Sequence, residues 1–154
     1  MCSSDLVRIA LEMDMEVRAA EILERLLSDY PSSKHLPEAL ETLARLRAKE
    51  SLGADWDQAA ALEAADHWRT LADQFPRDPR AAKAAAEIAL LRDRAARARL
   101  NLANFYWGRR NNPEAAKLMA NAARTIAPES PAAKEAEELL ALRSEEHTSE
   151  LQSP

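Results

Sequence analysis

Apolar residues recur along this chain at spacings of three and four, the period that gathers one face of an α-helix. Proline divides the pattern into lengths. Asp78-Pro79, Asn112-Pro113 and Ser130-Pro131 each place a capping side chain before a proline. The cap oxygen accepts an otherwise unpaired N–H of the first turn, and proline there removes no donor that the helix needs. Pro37 marks a further start. Tyr30-Pro31, Phe75-Pro76 and Ala127-Pro128 mark stops, because the residue before a proline is pushed out of helical backbone angles. These signals predict a helical stub at 7–12 and helices over 16–29, 35–50, 57–75, 79–109, 113–126 and 131–142. Residues 80–107 contain neither Gly nor Pro, so the segment 79–109 reads as one helix of roughly 45 Å at 1.5 Å per residue. The stretch SLGADW, 51–56, reads as a flexible loop.

Three of the predicted helices end alike. Counting back 12, 8 and 5 residues from Pro31 gives Ala19, Leu23 and Leu26. From Pro76 the same offsets give Ala64, Trp68 and Leu71, and from Pro128 they give Ala116, Ala120 and Ala123. A small residue admits a close neighbour and the next two fill the stack, an order that resembles the second helix of the tetratricopeptide repeat. The expected fold is all-α, a tetratricopeptide-like α-solenoid of stacked antiparallel helices. The proline intervals of 45 and 52 residues exceed the usual period of about 34, and the first-helix Trp and Gly positions are poorly matched. A generic helical bundle is the other architecture open to this pattern.

Composition narrows the class. A chain of 154 residues, 47% hydrophobic and 31% charged, suits one soluble domain with a real core. Glycine occurs only as Gly53 and Gly108, which again favours helix. No apolar run approaches the roughly 18–20 residues of a membrane span, and no signal-peptide hydrophobic region is present. A formal charge of −5 argues against nucleic acid as the main partner. The single cysteine, Cys2, cannot form an internal disulfide.

No residue set carries recognisable chemistry. There is no nucleophile–base pair, glycine-rich phosphate loop or close pair of histidine ligands, so no catalytic, cofactor-binding or metal residue is assigned and no enzyme is expected. His67, beside Trp68, reads as a helix-face or packed histidine, and His35 as a solvated one near a turn. The carboxylates fall at spacings that suit ion pairs on helix surfaces. Arg92, Arg94, Arg97 and Arg99 read as a solvated face. Phe105-Tyr106-Trp107 is the most informative cluster: successive helical residues fan out by about 100°, so the three cannot all face one core. With Arg109 and Arg110 just beyond, they form a candidate partner contact, although Arg109-Arg110 could also simply complement the helix dipole.

Longer stretches narrow the relationship. YPSSKHLPEAL, FPRDPRAAKAAAEIALLRDRAARARLNLANFYWGRRNNPEAA and IAPESPAAKEAEELL resemble the BamD family, outer-membrane assembly lipoproteins of Gram-negative bacteria. The family's YP turn, its alternating Leu-Arg-Asp-Arg segment, aromatic pair and Arg-rich turn correspond to Tyr30–Leu40, Leu91–Ala96, Phe105–Tyr106 and Gly108–Asn112. The turn here is one residue longer and has Asn-Asn-Pro in place of a Gly-centred turn, while Leu118-Met119 replaces a frequent Asn-Arg pair. The resemblance implies a non-catalytic scaffold at the periplasmic face of the outer membrane. Its implied partners are barrel-assembly components and unfolded outer-membrane protein segments, with no nucleic acid, no cofactor, and membrane contact only through a lipid anchor lying outside this segment. Another periplasmic tetratricopeptide adaptor, in the cell envelope or in polysaccharide export, is an alternative. So is part of a larger enzyme or regulator.

The two ends share a nucleotide origin. MCSSDL can be written GTG TGC TCT TCC GAT CT, and the reverse complement of that string encodes Arg-Ser-Glu-Glu-His and the start of a Thr codon, as the chain reads from Arg143. The string resembles a widely used sequencing adapter. Residues 1–6 and 143–154 are therefore expected to be adapter-derived, with 7–142 a helical-repeat domain that is part of a longer gene. Without the two ends the chain carries 20 basic and 22 acidic residues, a net charge of −2. The tail RSEEHTSELQSP is expected to lie loose or to prolong the last helix, without functional meaning. Resequencing the source locus checks this: flanking residues other than MCSSDL and RSEEHTSELQSP are expected, and genomic DNA encoding both ends would refute it.

Overall fold

The computed structural model describes the backbone of residues 15–53 and 58–151, with side chains over 15–52 and 58–142. Among these residues six α-helices follow one another: α1 Glu16–Asp29, α2 Leu36–Glu50, α3 Ala59–Gln74, α4 Ala84–Gly108, α5 Pro113–Ile126 and α6 Pro131–Leu151. No strand occurs among the described residues, and no helix there is long and apolar enough to cross a membrane. The fold is all-α, consistent with a tetratricopeptide-like helical repeat. The expected stub at 7–12 lies outside the described residues.

The proline signals act as local physics requires. Tyr30 and Ala127, each before a proline, have ψ of 61° and 76°, off the helical region, and their N–H groups still close the last turns on Leu26 and Ala123. At the starts, Asp78 Oδ1 accepts from the Arg80 N–H (2.9 Å), Asn112 Oδ1 from Ala115 (3.0 Å) and Ser130 Oγ from Ala133 (3.2 Å).

Two boundaries differ from expectation. The segment after Asp78 opens as a 3₁₀ turn, Pro79–Lys83, before α4 proper. The cap reaches only the second residue of the turn, and Ala81 bonds back to Asp78 at the tighter i to i+3 spacing. Ser51–Gly53, expected to be loop, is a further 3₁₀ turn, with Ser51 buried and its hydroxyl donating to the Ala48 carbonyl. The last helix runs on to Leu151, the prolongation that is one of the two outcomes expected of the tail, since no Gly or Pro between Pro131 and Pro154 stops it.

The described residues fall into two compact units, and α4 contributes to both: Ala84–Ile88 to the first and Ala89–Gly108 to the second. In the first unit Ala20, Leu23 and Leu26 of α1 pack with Ala39 and Leu43 of α2, flanked by Ile22, Leu27 and Leu46. Helix α3 buries Ala61, Ala64, Ala65, Trp68 and Leu71. In the second unit Ala96, Leu100 and Ala103 of α4 meet Ala120 and Ala123 of α5 and Ala132 and Ala136 of α6.

Helix α4 also places polar groups on α6. The Ala132 N–H donates to Asp93 Oδ1 (3.0 Å), so α6 is capped by a residue 39 positions away. One turn further along α4, Arg97 grips Glu135 through two bonds of 2.9 Å. The expected solvated face of Arg92, Arg94, Arg97 and Arg99 is instead half-buried. Leu91, Ala95, Ala96, Ala98, Leu100 and Ala103 are buried on more than one side of α4, so the arginine stems lie along apolar surface. Arg99 also approaches the Met119 sulfur at 3.6 Å. Replacing Asp93 with Ala is expected to lower stability by about 1 kcal/mol, the usual value of an N-cap. Urea unfolding of D93A beside the parent checks it, and an unchanged midpoint would show that the cap contributes nothing.

Candidate functional site

Helices α1, α2 and α3 converge on one guanidinium. Arg47, in the last turn of α2, lies 2.6 Å from Glu24 of α1, 2.9 Å from Glu50 on its own helix and 3.3 Å from Glu63 of α3. Its side chain is 26% exposed. The Nε group, turned toward Glu63, is buried without an aligned hydrogen bond, so that contact is electrostatic. Bonds to Glu50 and Glu24 hold the guanidinium more firmly charged than an ordinary arginine. His67, half-buried on α3, borders the same network. Burial and then the Arg47 charge lower its pKa below the usual value, against the opposing pull of Glu63, Glu24 and Asp66.

A groove of about 470 Å³ runs between α1 and α2, lined by Glu16, Val17, Ala20, Glu21, Glu24, Leu46, Arg47, Lys49 and Glu50. Lys49 pairs with Glu16 across it. Between α5 and α6 lies a second groove of about 380 Å³, lined by polar residues such as Asn121, Thr125 and the Arg124–Glu137 pair at 3.4 Å.

The aromatic cluster closes α4. Phe105 and Tyr106 meet edge to face with centroids 5.8 Å apart, and the Arg110 guanidinium sits 5.6 Å from the Phe105 centroid. That distance suits a cation–π contact. Phe105, Tyr106 and Trp107 are each half-buried, while Arg109 and Arg110 are exposed. The turn beyond them reverses at Asn111, whose φ of 46° is left-handed. Asparagine tolerates that conformation, so it takes the place a glycine would fill.

All nine repeat positions, Ala19, Leu23, Leu26, Ala64, Trp68, Leu71, Ala116, Ala120 and Ala123, are buried. Pro31, Pro76 and Pro128 are exposed, so their part is to end helices rather than to pack. His35, expected to be solvated, is half-buried, and its backbone N–H donates to Ser33 Oγ. The Arg47 network and both grooves escaped the sequence reading. Only the Arg47–Glu50 spacing was visible there; Glu24 and Glu63 arrive through tertiary packing. Among the described residues no three His, Cys, Asp or Glu side chains gather to hold a metal.

A family model, YfiO, described as outer membrane lipoprotein, matches residues 4–152. No curated protein matches the chain.

The lowered pKa of His67 fixes the sign of a pH effect. The unfolded chain takes up a proton near pH 6.5 and the folded chain resists it, so this contribution is full above about pH 6.5 and is lost as the pH falls below it. Urea midpoints at about pH 7.5 and 5.5 are expected to fall toward acid in the parent and to fall less in H67Q. Equal pH dependence in both would remove His67 from this role.

Proposed function

The chain belongs to the YfiO family of outer membrane lipoproteins, and from that premise we propose that it is a non-catalytic protein-binding scaffold in the assembly of outer-membrane β-barrel proteins. The observation that carries this reading is the family match across 4–152. The helical repeat supports it in physical terms. Stacked helices present long side-chain grooves to partners, and each helix needs only its neighbours to hold its place. The intact protein acts at the periplasmic face of the outer membrane, held there by a lipid anchor outside 7–142. Its partners are barrel-assembly components and unfolded outer-membrane protein segments, and nucleic acid is not among them.

The aromatic turn of α4 is the proposed partner contact. Phe105, Tyr106 and Trp107 offer amphipathic surface, and Arg109 and Arg110 stand exposed beside them. Aromatic and arginine side chains dominate the energetics of many interfaces, because they fill pockets and keep a polar handle. Affinity capture with the intact protein from outer-membrane extracts, read by mass spectrometry, is expected to recover barrel-assembly subunits. The double variant R109A/R110A is expected to lose roughly tenfold in recovery while keeping its helical fold by circular dichroism. Consistent absence of assembly subunits from the parent capture would reject the scaffold role, and undiminished recovery by the variant would move the contact elsewhere.

A further inference from the structure

Val17, Ala20, Glu21 and Glu24 recur at i, i+3, i+4 and i+7, so they share one face of α1 and form one wall of the α1–α2 groove. Leu46 faces them from α2, with Arg47, Lys49 and Glu50 around it. The floor is apolar. Val17 is 78% exposed, although its neighbours on this face, Ala20 and Leu46, belong to or flank the α1–α2 core. A branched apolar side chain left this open beside a core edge gives an incoming hydrophobe something to cover.

The rim decides the sign of such a partner. Glu16, Glu21, Glu24 and Glu50 face two cations, Arg47 and Lys49, which leaves the lining at a net charge of −2. Both cations are engaged by carboxylates of the same lining: Lys49 by Glu16, and Arg47 by Glu24 and Glu50. An arriving anion therefore finds its counter-charges satisfied and meets the excess carboxylate. An arriving cation meets Glu21, exposed and outside every ion pair of the described residues, together with the outer oxygens of its neighbours.

We propose that this groove seats a short amphipathic cationic segment of a protein partner, an apolar side chain resting on Val17, Ala20 and Leu46 and a lysine or arginine reaching Glu21. This rests on the scaffold reading and adds the chemistry of one partner segment. Attraction at the rim sets orientation and rate of docking, while the apolar floor supplies the buried area. Acidic segments, anionic lipid surfaces and nucleic acid are disfavoured by the same residual charge.

The test uses the full chain and two synthetic helix-forming peptides, one with leucines on one face flanked by lysines, the other with glutamates in place of the lysines. Isothermal titration is expected to show binding of the lysine peptide, weaker at raised salt, and none of the glutamate peptide. Glu21→Lys, at an exposed position with no packing role, is expected to weaken the lysine peptide about fivefold, the scale of reversing one exposed charge pair. Val17→Ser is expected to weaken it without changing the salt dependence. Equal binding of the two peptides, no effect of E21K, or no binding at all would each overturn the proposal. The assembly role is read separately: capture of assembly subunits without peptide binding refutes the groove alone, and peptide binding without capture refutes the assembly role and leaves the groove standing.

Discussion

Close approach of helices across alanine is the constraint on which the rest of this structure depends. Of the 28 buried apolar residues among those described, 19 are alanine. An alanine withdraws little more than one methyl from water, on the order of 0.8 kcal/mol, whereas a fully buried leucine gives about 1.5–3 kcal/mol. Such a core gains instead from the short distance between backbones, which brings many atom pairs into van der Waals contact. The seam of Ala96, Ala103, Ala120, Ala123, Ala132 and Ala136 illustrates it, with Leu100 the largest buried side chain in that cluster. Short separations also leave little room for error, because an added methylene has no void to enter.

Small, similar side chains specify register weakly, since one alanine resembles the next. The polar contacts between helices supply that distinction. Asp93 caps α6 from α4, and Arg97 meets Glu135 a turn away, so a slip of α6 by one turn would break both contacts at once. Arg47 does the same for α1, α2 and α3 through Glu24 and Glu63. Net stabilisation from each pair is small where water reaches it. Cost of the wrong register is larger, because a half-buried guanidinium or an N-terminal N–H would lose its partner.

Most of the helical framework was legible from punctuation. Cap-proline pairs and pre-proline stops act within a few residues, so the sequence carries them directly: α1, α5 and the start of α6 fall where those signals put them. The periodic triplets likewise mark nine residues that are buried, because a helix facing neighbours must repeat its small positions. What was hidden depends on tertiary placement. Nothing in the local spacing of Asp93 or Arg97 reveals that α6 will lie beneath them, so a run of arginines looked solvated. For the candidate site the aromatic–arginine turn was visible as a cluster, but the groove was not. Its two walls are 22 residues apart, from Glu24 to Leu46, and each wall taken alone is an ordinary charged helix face.

One residue joins these levels. Arg47 lines the α1–α2 groove and also ties α1 to α3, so the charges that hold the helices are partly those a partner would meet. Any group that competes for Glu24 or Glu50 draws on the same interaction that fixes the helix register. The apolar packing of Ala20, Leu23 and Leu26 against Ala39 and Leu43 limits the consequence. Helices held at short distance by dispersion do not separate when one ion pair weakens, so the groove keeps its width while its electrostatics change. That division of labour, apolar contacts for spacing and ion pairs for register and surface charge, lets a helical stack vary its binding faces without rebuilding its core. It also explains why the charged networks of this chain lie along seams and grooves between helices.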